Sequence, residues 1–526
     1  MSTLIGCSFA IGLVFVFYIS GNGIKSLLNF KNDNPLSAIG LGFFAFFAFV
    51  TTATLPFQFF NLEILSYIYI NIGFFLLYLV FSLVIVRNWI GTSIFSMKSV
   101  LFFVALILFA GVTYAMQIDT GYGTESINNQ SFFLEILKIK GHQKMTNIFI
   151  IHKRSIFNMV GYAIAIITNQ NNGEFIKSFW YCVFIAVSTS IFVEAYSMFC
   201  RQKKQGQRWG VFAATLIINV AILTALSYLR ISIYDSYIYF ILLIVYSCML
   251  VIQRTSYDFN QKNLPNIIGM VMGSYMTFSV ENTYPVLFLF YAFIFVMQLR
   301  SQVGYFRDIS KMSWLVLVEF SIYNIVSKLW IQTGIFLAVL VLFIFLSLRA
   351  RNRYFIETKV ELYLKQRNIL AILLIPSALL IISAAYALSV NKYILTQNVE
   401  YIQMLFWWVD WISDAKIKGW IIFAIAMTVL GLAVAWVFLR QRVGKNIIFT
   451  ALDIFFILYL TFYNPLFTNI IQLIAPNINE TAGYSLIALM FITIMVLPFE
   501  IANRITKNQK ENIKLVIYRK TVRLKI

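Results

Sequence analysis

Charge is what this sequence has least of. Only 12 % of its 526 residues are Asp, Glu, Lys or Arg, and no stretch is long and polar enough to clothe a sizeable soluble domain. Catalytic signatures are equally sparse. There is no phosphate-binding Walker loop, dinucleotide fingerprint, nucleophile elbow or zinc-protease motif, which argues against nucleotide chemistry of the soluble kind. The four cysteines, Cys7, Cys182, Cys200 and Cys248, fall in apolar runs and form no loop-based disulfide or metal pattern. The two histidines stand ten residues apart with no acidic ligand fixed beside them, so no metal site is expected. Met1 to Ser20 lacks both a basic leader and a small-residue cleavage site and reads as a retained first span.

What the chain has instead is apolar length. Hydrophobic residues make up 60 % and the mean hydropathy is +0.80. Runs near twenty residues recur at about 3–20, 36–58, 64–86, 99–117, 178–200, 211–229, 236–253, 265–281, 283–299, 312–326, 332–348, 368–390, 419–438, 448–474 and 482–499. No ten-residue alternation repeats, and open strand edges cannot survive in hydrocarbon. The expected fold is therefore all-α: a polytopic transmembrane bundle of about 15 spans, within a range of 13 to 16.

The net charge of +20 would suggest nucleic acid in a soluble protein, but here the basic residues lie between apolar runs and in the tail. No nucleic-acid partner is expected. With the tail placed in the cytoplasm, 30 Lys and Arg, Lys25 and Lys31 among them, fall in inside loops and 11 outside. That asymmetry puts the protein in the cell membrane with its N-terminus outside. Eight basic residues follow position 503, and the tail 501–526 is expected along the anionic inner leaflet.

Two external segments break the pattern. Residues 118–177 hold apolar stretches that are short or interrupted by charge, and these read as interfacial or re-entrant helices; a crossing at Ile156 to Thr168 would reverse the orientation upstream. Residues 391–418 combine Trp407, Trp408 and Trp411 with Asp410 and Asp414, a composition suited to a helix lying flat at the outer surface.

Candidate chemistry sits mainly in these segments. Asp119 follows the 99–117 span at the mouth of the long loop, and Gly121, Gly123 and Asn128 let the chain fold back over the helix end. A carboxylate there can serve as general base on a sugar hydroxyl, with Glu125 as a second carboxylate. His142, Lys144, His152, Lys153 and Arg154 form a cationic cluster suited to a phosphate or pyrophosphate, and equally to anionic headgroups. The three tryptophans can stack on a sugar ring or anchor the interface. Within the spans, Glu194, Glu281, Glu319 and Asp453 are the costly charges, and Glu194 and Glu319 are the deeper two.

A span ending in an external acidic residue, a loop of interfacial helices and about eleven further spans resembles the membrane-embedded glycosyltransferases of the GT-C type. The sequence is similar, more closely, to polytopic proteins of Gram-positive bacteria linked to surface polysaccharide assembly. The carrying residues are Ser126-Ile-Asn-Asn-Gln-Ser-Phe-Phe133, then Asn464-Pro465-Leu466, Tyr484 and Leu497-Pro498. The resemblance implies a core over 99–500, a three-span extension over 1–98, and Asp119 as the catalytic carboxylate. It also implies a polyprenyl-phosphate-linked sugar donor and a surface glycan acceptor, and leaves open whether a divalent cation assists the leaving phosphate. Where such proteins often carry adjacent acidic residues, this chain has Asn128 and Asn129, and an amide cannot take a proton. A flippase or transporter of a lipid-linked substrate, which would show polar residues and interrupted helices inside the bundle, is the alternative. A non-catalytic scaffold is the third reading.

Overall fold

In a computed structural model the described residues are 2–28, 35–60, 62–89, 97–115, 155–168, 173–200, 207–228, 233–234, 236–256, 263–278 and 305–326, with scattered positions between 330 and 342. They are almost entirely helical. In chain order the helices are α1 (Ser2–Leu27), α2 (Ala38–Thr54), α3 (Ile64–Trp89), α4 (Met97–Ala115), α5 (Ser155–Thr168), α6 (Gly173–Cys200), α7 (Gln207–Tyr228), α8 (Ser236–Ser256), α9 (Leu264–Met272), α10 (Tyr275–Phe278) and α11 (Tyr305–Val326). Short 3₁₀ turns, Pro35–Ser37 and Leu55–Phe60, flank α2.

Four helical stretches among the described residues, Ser2–Leu27, Ala38–Phe57, Leu65–Val84 and Gly173–Ala195, are long and apolar enough to cross a membrane. Their burial separates inner from outer. The Gly173–Ala195 window is 94 % buried and Ala38–Phe57 83 %, against 28 % for Leu65–Val84. So α2 and α6 form the centre, and α3 turns much of its surface outward. On α4, Leu101, Val104, Leu108 and Val112 are all exposed at helical spacing. A stripe of that kind is stable only against lipid or a further protein surface.

Close approach at the centre depends on small residues. Cβ atoms added at Gly21 of α1 or Gly42 of α2 would collide with the carbonyl oxygens of Ala38 and Phe17 respectively, so each glycine admits the backbone of the other helix. Reciprocal glycines are why α1 and α2 touch along their length. Around that contact, aromatic rings fill the interior: Phe43, Phe47, Phe157, Trp180, Tyr239 and Phe278 are all buried, and Phe157 stacks on Trp180 at a centroid distance of 4.4 Å.

Contacts fix the relative sense of the helices. Gly6 of α1 lies against Phe175 and Ser178 of α6, and Lys25 meets Glu194, so α1 and α6 run parallel. On α4, Phe103 packs on Tyr18 while Tyr114 packs on Tyr181, which makes α4 antiparallel to both. Tyr78 of α3 donates to the Gly42 carbonyl and Phe74 packs on Phe57, setting α3 antiparallel to α2. Gly269 faces Lys311 and Gly273 faces Leu315, so α9 runs parallel to α11.

The expected spans over 3–20 and 265–281 need correction. α1 continues to Leu27, which places Lys25 in its last turn and not in a loop. The helix begun at Leu264 is interrupted at Gly273 and Ser274 before α10. Residues 116–154 and 343–526 lie outside the described residues, and with them the later spans, the 391–418 segment and the tail.

Candidate functional site

Two carboxyl groups, Glu194 and Glu319, are fully buried in the bundle. Their surroundings differ, and the difference decides what each can do.

Glu194 is neutralised. Lys25 Nζ lies 2.7 Å from Glu194 Oε2 and donates as well to Ser37 Oγ at 2.8 Å. Ser37 is the N-cap residue of α2, yet its hydroxyl makes no cap bond and serves the ammonium instead. The orphan Gly40 N–H in the first turn of α2 is met from another helix, by Ser190 Oγ at 2.7 Å. Asn263 is diverted in the same way: its Nδ2 donates to the Leu28 carbonyl at 2.8 Å, tying the start of α9 to the end of α1. These bonds stitch the ends of α1, α2 and α9 and the last third of α6 into one polar junction. An ion pair this well enclosed costs much to desolvate and still more to break, since removing one partner strands the other charge.

Glu319 has no such cation. Among the described residues it makes no ion pair, and its Oε2 has no hydrogen-bond partner. Oε1 lies 2.6 Å from Thr52 Oγ1. That hydroxyl also lies 2.7 Å from the Ala48 carbonyl oxygen, one turn back on α2. Beside it Thr51 is hydrogen-bonded to Thr277, bridging α2 to α10.

Regular helix fails at this level on two of the three elements involved. Ser274 N–H bonds to the Val271 carbonyl three residues back, a 3₁₀ step between α9 and α10, and Ser274 Oγ donates to the same carbonyl at 2.8 Å. α2 passes directly into the 3₁₀ turn Leu55–Phe60, where Pro56 supplies no N–H. A Cβ on Gly273 would run into the Leu315 side chain of α11 and approach Ala48 of α2. Tyr275 packs on Phe320 with centroids 5.8 Å apart. The interrupted helix, the hydroxyls of α2 and the carboxyl of α11 therefore meet in one place.

A third pairing joins α1 and α6. Cys7 Sγ and Cys182 Sγ are 3.7 Å apart, and both thiols are free. No group of three or more metal-ligating side chains occurs among the described residues.

The residues expected to carry sugar chemistry, Asp119, Glu125, His142, Lys144, His152, Lys153, Arg154, Trp407, Trp408 and Trp411, lie outside the described residues, as do Glu281 and Asp453. What the sequence left out was the partner of Glu194, because Lys25 had been set in a loop, and the threonine next to Glu319. Thr51-Thr52-Ala53-Thr54, a polar interruption in an otherwise apolar run, was the available signal.

No protein-family model, curated protein or solved structure matches this chain.

Proposed function

We propose that this protein is a multi-pass membrane transporter of the flippase kind, acting on a lipid-linked or similarly amphipathic substrate in the cell membrane. The observation that carries the reading is the fully buried Glu319, in no ion pair among the described residues, beside the break between α9 and α10. Membrane proteins tolerate an interior acid and irregular backbone where these line a pathway or coordinate an ion. In this reading the Lys25–Glu194 junction holds one end of the bundle fixed, and the α9–α10 step supplies the element that moves. The excess of basic residues in alternate loops supports an external N-terminus and a cytoplasmic tail.

The test uses the purified full chain in phosphatidylglycerol vesicles containing a fluorescent polyprenyl-phosphate sugar. Dithionite added outside bleaches only the outer leaflet. Expected is protein-dependent loss of the protected fluorescence, slowed by Glu319→Gln. Bleaching equal to that of protein-free vesicles defeats the proposal.

A second reading, sugar transfer from the same class of lipid carrier, has one observation in its favour. Tyr114 at the end of α4 lies against α6, its hydroxyl 3.4 Å from Glu174 Oε2, so the two helices that flank the long loop emerge side by side. Asp119 would then act as base, Glu125 as its neighbour, and His142, Lys144, His152, Lys153 and Arg154 as the phosphate cradle, with the tryptophans stacking the sugar. Asp119→Asn and Arg154→Ala strains should each lose the affected sugar from surface glycan. Unchanged glycan with a normally inserted Asp119→Asn protein removes this reading.

A further inference from the structure

Glu319 and Thr52 together pose a question of hydrogen count. A threonine hydroxyl has one hydrogen to give. Thr52 Oγ1 stands within bonding distance of two oxygens, the Ala48 carbonyl at 2.7 Å and Glu319 Oε1 at 2.6 Å, and a carbonyl only accepts. When the Thr52 hydrogen goes to Ala48, the hydrogen in the second contact has to come from the carboxyl. Were Glu319 ionised, the hydroxyl would have to turn from Ala48 to the acid, and Oε2 would still be left with no donor among the described residues.

We propose that Glu319 is a proton-binding site whose carboxyl O–H donates to Thr52 Oγ1. On release of the proton the Thr52 hydroxyl swings from the Ala48 carbonyl to the carboxylate, so the protonation state is passed to α2 next to its 3₁₀ end. This deepens the transport reading by naming its coupling ion, and it rests on that reading for the purpose of the proton.

Among the described residues, the elements packed against Glu319 leave it no compensating charge. α2, the turn Leu55–Phe60 and α9 contain no acidic or basic residue, and α10 has only the phenol of Tyr275. On α11 itself Arg307, Asp308 and Lys311 precede it, the nearest by eight residues, or about 12 Å at the helical rise. Tyr323 follows one turn on. Glu194, by contrast, faces Lys25 and serves as an internal control.

The experiment is labelling of the full chain in lipid vesicles with dicyclohexylcarbodiimide. This apolar reagent takes the proton of a buried carboxylic acid on one nitrogen while the carboxyl oxygen adds to its central carbon. The acylisourea then rearranges to a stable N-acylurea, which mass spectrometry locates. Expected is modification at Glu319 and not at Glu194. It should fall about tenfold per pH unit once the buffer passes the titration point of the site. Thr52→Val, which can neither accept a hydrogen bond from the acid nor donate one to the carboxylate, should shift that point, and Thr52→Ser should restore it.

Infrared difference spectra between acid and alkaline buffer give a readout that needs no reagent to enter. A carboxylic acid C=O band that titrates and is lost in Glu319→Gln supports the site. Absence of that band together with absence of labelling overturns it, whatever the flippase assay shows. Titrating label with no lipid movement keeps the proton site and removes the transport reading.

Discussion

At the scale of the residue, two glutamates with the same burial have opposite electrostatic settings, and their variants should behave differently. Lys25→Ala or Glu194→Ala strands a partner charge at the α1–α6 junction, and each should cost about 3–5 kcal/mol. Replacing both with apolar residues of similar size, Lys25→Met with Glu194→Leu, should recover most of that loss, because the desolvation penalty goes with the charges. Melting of the detergent-solubilised proteins checks it; a double variant as weak as the sum of the singles would show that the pair does not act as a unit. The thiols of Cys7 and Cys182, 3.7 Å apart, make a simpler prediction. That separation is close to covalent reach, so copper-phenanthroline should join them into a disulfide. A bridged Cys7–Cys182 peptide in non-reducing digests is the expected result, and recovery of only unbridged peptides would contradict the packing of α1 on α6.

At the scale of the element, helix identity was legible because lipid forces a run of about twenty apolar residues into one conformation. Helix ends and interruptions were less so. Gly21-Asn22-Gly23 is punctuation in an isolated helix, yet α1 runs through it. The reason is tertiary: Gly21 sits where α2 arrives, and Asn22 Nδ2 bonds back to the Tyr18 carbonyl at 2.8 Å, satisfying itself within the helix. Similarly, nothing in Met270-Val-Met-Gly-Ser-Tyr275 distinguishes a continuous span from the stepped one until Gly273 is seen against Leu315 and Ala48. Glycine alone is ambiguous; the neighbour decides. Gly21→Leu and Gly42→Leu should therefore each destabilise the bundle by at least about 1–3 kcal/mol through overpacking. Gly12, with nothing within 4 Å of an added Cβ, should accept Ala and gain about 0.5–1 kcal/mol from the stiffer helix. Thermal unfolding of the three variants separates these outcomes, and equal effects at Gly12 and Gly21 would mean the α1–α2 contact is looser than described.

At the scale of the whole molecule, sequence patterning locates apolar runs along the chain but not which of them meet. Glu194 was conspicuous as a charge in an apolar run, while its partner lies 169 residues away and became visible only through folding. The residues expected to do sugar chemistry depend on loops whose composition carries no periodicity, so nothing in the pattern fixes their mutual positions. Helix sense is the global property that joins the two kinds of information. α1 and α6 pack parallel, with Gly6 at Ser178 and Lys25 at Glu194, so in a membrane an odd number of crossings would have to separate the end of α1 from the start of α6 if the two span it in the same sense. One added crossing between α4 and α6 would turn α6 over and separate Lys25 from Glu194 by the length of the helix. Single cysteines placed at Ser126 and Lys204 in a cysteine-free background should accordingly react with an impermeant maleimide from opposite faces of the cell membrane: Ser126 in intact cells, Lys204 only after permeabilisation. Labelling of both from one side would mean that the chain crosses twice between them, as a crossing at α5 in addition to α6 would require, or does not cross there at all.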